Sequence, residues 1–267
     1  MARNRPVGVV TRGTTNPNRL RRVDRWLADV EGWRLRTTSG SPVVVDLGYG
    51  ASAVTALELH DRLARVRPDV SVVGIEIDPE RVWAAQPLSR PGLSFAVGGF
   101  EIPLTERPVV VRAFNVLRQY AEEEVSAAWD LVRSRLATDG LLVDGTCDEL
   151  GRLATWVAVD AAGPQSFTLS VRLRGLDRPS TVAERLPKAL IHRNVPGEAV
   201  HAYLQAVDDA WTRAAPQASY GVRQRFVAAC ASMREQGWPV LDGPRRWRLG
   251  ELSVAWEAVA PGAPQRA

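Results

Sequence analysis

Val43-Val44-Val45-Asp46-Leu47-Gly48-Tyr49-Gly50-Ala51-Ser52 is the stretch that decides how this chain is read. Three β-branched residues in a row predict a buried strand. The strand runs into an acid and a Gly-x-Gly turn, and a helical pattern follows from Ala51 to Val66. Glycines at 48 and 50 permit backbone angles and a close ligand approach that a β-carbon blocks. A helix opening behind the turn directs its positive end at whatever binds there. The outline is that of a nucleotide-cofactor site. A dinucleotide brings a pyrophosphate to such a turn and gains nothing from Asp46, whereas a cofactor with a cationic amino-acid moiety suits a nearby carboxylate.

Some thirty residues further on, Ser71-Val72-Val73-Gly74-Ile75-Glu76-Ile77-Asp78-Pro79 gives a second apolar strand ending in an acid. From that position a carboxylate can accept two hydrogen bonds from a ribose diol, and Pro79 marks a helix start. Together, Asp46-x-Gly48-x-Gly50 and Gly74-Ile75-Glu76-x-Asp78-Pro79 resemble motifs I and II of the class I S-adenosylmethionine-dependent methyltransferases. Two further blocks keep the same order. Leu93 to Leu104 is similar to the third strand and adenine-side loop, and Val109 to Tyr120 to the fourth strand and its functional end. The resemblance covers about Pro42 to Thr146.

It implies an α/β fold with a doubly wound, mostly parallel sheet and antiparallel edge strands, and S-adenosyl-L-methionine as cofactor. The cofactor-binding residues it implies are Asp46, Gly48, Tyr49, Gly50, Glu76, Ile77, Gly99, Phe100 and Asn115. The family often places an Asp in the third loop to bind the adenine amino group. Val97-Gly98-Gly99-Phe100-Glu101 carries none there, so adenine recognition stays unassigned. Two alternatives remain open: a non-catalytic S-adenosylmethionine-binding protein of the same fold, and a NAD(P)-dependent oxidoreductase, since Gly48-Tyr49-Gly50-Ala51-Ser52-Ala53 also fits a relaxed dinucleotide pattern.

In open α/β sheets, ligands bind at the carboxyl ends of the strands. Methyl transfer from a sulfonium is an in-line displacement, so alignment supplies much of the acceleration and no catalytic side chain is obligatory. A hydroxyl or ammonium acceptor would need a base, and Tyr120, Asp148 and Glu149 are the candidates at the strand ends. Asn115-Val116-Leu117-Arg118 lacks the Pro-Pro-aromatic run of the nucleic-acid amino-methyltransferases. A small-molecule acceptor is therefore expected ahead of nucleic acid.

Composition narrows the chemistry further. The only lysine among 34 basic residues is Lys188, so no Walker loop exists and a pyridoxal Schiff base would have a single possible position. Cys147 and Cys230 have no metal-ligand spacing, and the three histidines are scattered, so no metal site is expected. The absence of a secretory apolar core after Met1 and of any bilayer-length apolar run leads to the expectation of a cytoplasmic protein without a membrane partner.

Nine arginines face only Asp24, Asp29 and Glu31 within residues 1–36, although the whole chain carries a formal charge of only +4. The basic character is thus N-terminal. Leu20, Val23, Leu27 and Val30, flanked by Trp26 and Trp33, predict a docking helix. Arg21, Arg22 and Arg25 lie mostly off that stripe, where they solvate the surface or, less simply, meet nucleic-acid phosphates. The turn-rich run Arg12 to Arg19 reads either as a lid over the crevice or as an ordinary turn.

The domains expected are a basic arm and helix at 1–40, a cofactor-binding core at 41–175 and a helical elaboration at 176–267. Further helices are expected at Pro79 to Gln86 and Glu122 to Ala137, and a fifth strand at Leu141 to Gly145. A hairpin is expected from Leu153 to Asp160 and Phe167 to Leu173, and a last strand at Leu252 to Val259.

Overall fold

In the computed structural model the described residues are 6–10 and 15–263. They form two compact units. One comprises Met1–Asp144, Glu149–Gly151 and Val159–Gly163; the other comprises Gly145–Asp148, Arg152–Ala158 and Pro164–Ala267.

The first unit runs through α1 (Arg21–Asp29), α2 (Gly32–Thr37), β1 (Val43–Leu47), α3 (Val54–Leu63), β2 (Ser71–Glu76), α4 (Pro79–Ala85), β3 (Leu93–Val97), β4 (Val110–Phe114) and α5 (Val125–Arg135). Next come β5 (Leu141–Cys147), β6 (Leu153–Asp160), β7 (Gly163–Val171), α6 (Lys188–Ile191), α7 (Ala199–Arg213), α8 (Val222–Glu235), α9 (Pro244–Trp247) and β8 (Glu251–Ala255).

The sheet has the order β3-β2-β1-β4-β5-β6-β7-β8. Within it β1 pairs in parallel with β2 and with β4, β2 pairs in parallel with β3, and β7 pairs antiparallel with β8. The fold is therefore the expected doubly wound α/β sheet with an antiparallel edge. Every residue of β4 is buried, as are four of the five in β1, because helices cover both faces of a parallel sheet. After β1 the chain moves to β2 on one side, and after β3 it returns to β4 on the other. The carboxyl ends of β1 and β4 thus flank the switch point where such sheets bind ligands.

Several boundaries differ from the sequence expectation. Three residues after Gly50 go into the turn, so α3 starts at Val54 and not Ala51. Glu122–Glu124 forms a separate 3₁₀ turn ahead of α5. Strand β7 begins at Gly163, four residues before Phe167, because Ala161 and Ala162 alone make the turn and the Ala162 amide donates to the Asp160 carboxylate at 2.7 Å. The last strand stops at Ala255, after which Trp256–Ala258 coils. In the second unit α7 packs on α8 and buries Tyr203, Trp211, Phe226 and Met233.

The docking helix exists as α1 and packs on α3, with a different buried stripe. Val23, Trp26 and Leu27 are buried, whereas Val30 and Trp33 are exposed, because the helix ends at Asp29 and the chain turns away. Asp24 shares the buried face, fully hidden from solvent.

Candidate functional site

The turn after β1 is built by backbone geometry. Gly48 and Gly50 have φ of 68° and 82°, a region that costs an L side chain energy. The Gly48 amide donates to the Ile75 carbonyl at 2.7 Å, and the Gly50 amide to Glu76 Oε2 at 2.8 Å. Glu76 closes β2 with 1% of its surface exposed, and its Oε1 accepts from the Ile77 amide at 3.0 Å. Each oxygen keeps a further lone pair. The arrangement ties the two strand ends into one rigid corner.

A second support lies below the turn. Asp46 does not face the cavity. Its Oδ2 accepts from Thr55 Oγ1 at 2.8 Å and its Oδ1 from Arg112 Nε at 3.0 Å. Arg112, wholly buried on β4, also binds Asp24 of α1 and donates to the Thr55 carbonyl at 3.1 Å. Arg62 of α3 meets Asp24 at 2.6 Å and Glu58 at 3.1 Å. Burial pulls the Arg112 guanidinium down, but Asp24 and Asp46 outweigh it and hold its pKa above the ordinary value. Removing either partner of such a group leaves a buried charge uncompensated. Asp46 thus supports the Gly48 turn from below, which corrects the expectation that its carboxylate serves a cofactor's amino-acid end.

A narrow cavity of about 20 Å³ opens at this corner. Of the residues read from sequence, Gly48, Glu76, Ile77, Gly99, Phe100 and Tyr120 meet around it. Tyr49 turns the other way. Its ring is buried edge-on against Phe95, 5.5 Å between centroids, and burial raises its hydroxyl pKa. Asn115 stands at the end of β4 in a left-handed conformation, φ 59°, beside Val116, which lines the cavity. Strained backbone at a strand end is a feature of functional loops.

The outer side of the cavity is closed by Val7, Gly8 and Val9, which sequence reasoning missed. The Val7 amide donates to Glu101 Oε2 at 2.8 Å, and the Phe100 amide to the Val7 carbonyl at 3.0 Å. The Val9 amide donates to the Tyr120 hydroxyl at 2.5 Å. Gln119 Nε2 reaches the Val9 and Val10 carbonyls at 3.3 Å. A β-carbon on Gly99 would lie 2.0 Å from the Val7 carbonyl oxygen. The missing side chain at 99 is therefore required by this crossing. Of the run expected as a lid, Arg12, Gly13 and Thr14 lie outside the described residues. Thr15 donates to the Tyr49 carbonyl at 3.2 Å and Asn16 to the Glu149 carbonyl at 3.0 Å.

The candidate bases separate. Burial raises the Tyr120 hydroxyl pKa, and its oxygen accepts from Val9, so it holds the closing segment. Asp148 Oδ1 shapes its own loop by accepting from the Arg152 and Leu153 amides at 2.6 and 3.3 Å. Glu149 serves Asn16 through its main chain. No group of His, Cys, Asp and Glu suited to a metal ion occurs among the described residues, and no helix there is long and apolar enough to cross a membrane. Of the N-terminal arginines, Arg22 donates to the Gly151 carbonyl at 3.1 Å and Arg25 is exposed.

No protein-family model and no curated protein matches the chain. Solved structures do match parts of it. One is the plantazolicin methyltransferase BamL in complex with a triazolic desmethylPZN analog and SAH, at 14% identity over 49% of this chain and 47% of that one, TM-score 0.38. Another is magnesium protoporphyrin IX methyltransferase from Synechocystis PCC 6803 with bound SAH, at 19% identity over 51% and 62%, TM-score 0.35. A third is human N-acetylserotonin methyltransferase in complex with SAM, at 20% identity over 46% and 35%, TM-score 0.32. Each match takes in less than two thirds of the solved chain.

Proposed function

We propose that this chain is a class I S-adenosylmethionine-dependent methyltransferase acting on a small-molecule acceptor. The observation that carries the reading is the Glu76 carboxylate at the end of β2, facing one cavity with the Gly48 turn at the switch point of the sheet. Glu76 is the only charged residue among the described residues lining that cavity. A pyrophosphate placed there would meet the Glu76 carboxylate, and the nearby Arg81 guanidinium, 3.7 Å from Glu76, is already engaged with it and with Asp78, which disfavours a nicotinamide dinucleotide. A ribose diol would instead donate to the lone pairs that Gly50 and Ile77 leave open on Glu76.

Bound there, S-adenosylmethionine would supply an electrophilic methyl group on a cationic sulfur. The chain's own contribution is positioning: Gly48 and Gly50 let the backbone approach, Glu76 fixes the ribose, and Ile77 and Phe100 offer apolar surface for a base. Asp46 acts through Arg112 and Thr55, holding the turn from below. Orientation of the acceptor supplies the rate, with no general base assigned. Because the buried face of α1 docks the N-terminal helix and Arg22 is engaged by Gly151, the arginine excess is read as a solvated face.

Isothermal titration with S-adenosylmethionine, S-adenosylhomocysteine, NAD and NADP tests the reading. The first two should bind and the nicotinamides should not. Glu76→Ala should lose about 1.5–3 kcal/mol of affinity together with discrimination against 2′-deoxy cofactor. Binding of NAD or NADP alone would replace the reading with an oxidoreductase. Binding of S-adenosylmethionine with no methyl transfer across amine, hydroxyl and carboxylate acceptors would favour a non-catalytic binder.

A further inference from the structure

The segment Val7–Val9 lies where a cofactor would have to enter. It closes the cavity above Gly48 and Glu76, and it also forms a wall of a second cavity of about 510 Å³ that extends to Glu123, Ala127 and Leu131 near the start of α5. Phe100 and Tyr120 border both spaces. The segment is thus a partition between two voids. The inner void, about 20 Å³, is far short of the roughly 300–1,000 Å³ of sites that take drug-sized ligands, so a ligand seated there needs the partition out of the way. The partition itself is exposed, with Val7, Val9 and Val10 showing 46%, 60% and 40% of their surface. Little burial holds it down.

We propose that Val7–Val9 is a gate on the cofactor cavity, closed in the free protein and displaced when the cofactor is bound. This rests on the cofactor reading above. The latch consists of Glu101, which holds the Val7 amide, and Tyr120, which holds the Val9 amide, with Gln119 on the neighbouring carbonyls. Gly99 lets the gate seat, since any side chain there collides with the Val7 carbonyl. Gly8 does the same on the segment itself: a β-carbon there would come within 3.0 Å of the Tyr120 oxygen and 3.5 Å of Ile77. A closed gate lowers the apparent affinity by the fraction of molecules that are open. Loosening the latch should therefore tighten ligand binding, the opposite of what loss of a ligand contact does.

The experiment compares the full chain with Glu101→Ala, Tyr120→Phe and Gly99→Ala. Two of these cut the latch, and the third blocks the seat sterically. Hydrogen exchange at the Val7 and Val9 amides reads the gate without any ligand; stopped-flow and equilibrium titration with S-adenosylhomocysteine read the site. The wild-type amides should be protected when free and lose protection at saturating ligand. The variants should be unprotected throughout, and at least Glu101→Ala should bind about tenfold more tightly with faster association. Binding by the variants alone would also support the gate. Equal rates and affinities in all four chains, or retention of amide protection in the ligand-bound wild type, would overturn the gate while leaving the cofactor reading intact. No binding by any chain, with wild-type amides still protected, would overturn the cofactor reading and the gate's role with it.

Discussion

The floor and the roof of the crevice are made in opposite ways. The floor is charge hidden inside the sheet: Arg112, Asp24 and Asp46 are all buried and mutually saturated. The roof is apolar side chain left in water: Val7 and Val9 are exposed and held through their backbone by Glu101 and Tyr120. Each inverts the usual rule that apolar residues go inside and charges outside. A buried ion network fixes geometry because every alternative arrangement strands a charge. Exposed backbone hydrogen bonds are worth only about 0.5–1.5 kcal/mol each, since water replaces them. The contrast teaches that the strand ends are built to stay and the covering segment to leave.

The largest expected effect comes from breaking the floor. Arg112→Met removes the shared cation, leaving Asp24 to Arg62 and Asp46 with no charge partner in a dry interior, for a loss of about 3–5 kcal/mol. Chemical denaturation checks it. A midpoint unchanged from wild type would mean that the network is hydrated and that the floor is no more rigid than the roof.

A second buried carboxylate sharpens the same point with a pH signature. Asp144 on β5 is held by one hydrogen bond, from Trp129 Nε1 at 3.0 Å, and burial raises its pKa from 3.8 to about 7. Between those two values the folded state keeps a proton that the unfolded state has lost, so stability falls as pH rises from about 4 to 7 and is level above that. Asp144→Asn keeps an acceptor for the indole and has no charge to desolvate. It should gain about 4 kcal/mol over wild type at pH 8, with the gain vanishing near pH 4. Thermal melts of both chains across that range decide it, and a constant difference would assign the effect to packing.

The smallest effect belongs to the roof. Tyr120→Phe removes one exposed acceptor from the Val9 amide and should change global stability by about 1 kcal/mol or less. Differential scanning calorimetry should show a melting temperature close to wild type. A drop comparable to that of Arg112→Met would make the segment an integral part of the core.

The floor was partly legible in the sequence because strand, turn and acid are local signals. Val43 to Gly50 and Ser71 to Glu76 announce both the strands and the corner that they share. The partner of Asp46 was not announced, although a clue was present. Asp24 sits within an apolar helical stripe, and Arg112 within Val109-Val110-Val111-Arg112-Ala113-Phe114, two charges at buried positions with opposite signs. A pair of misplaced charges is a contact prediction in its own right. The roof left no such mark. Val7-Gly8-Val9 has no periodicity and no charge, and its place is set by Gly99, Glu101 and Tyr120, which are about a hundred residues away. The same distance explains why Tyr120 resembled a base: a tyrosine at a strand end looks identical whether it meets a substrate or the chain's own amide.

The ion pair between Asp24 and Arg112 also has a timetable. Its two halves stand 88 positions apart, so on a ribosome adding about 5–20 residues per second Arg112 follows Asp24 by roughly 4–18 seconds, and until then the cation on hand is Arg62, 38 positions on. During that interval α1 carries an acid on the face that it will bury. Docking of α1 onto an incomplete sheet leaves that acid with Arg62 alone, and its charge is fully matched when the strand between β1 and β5 has emerged.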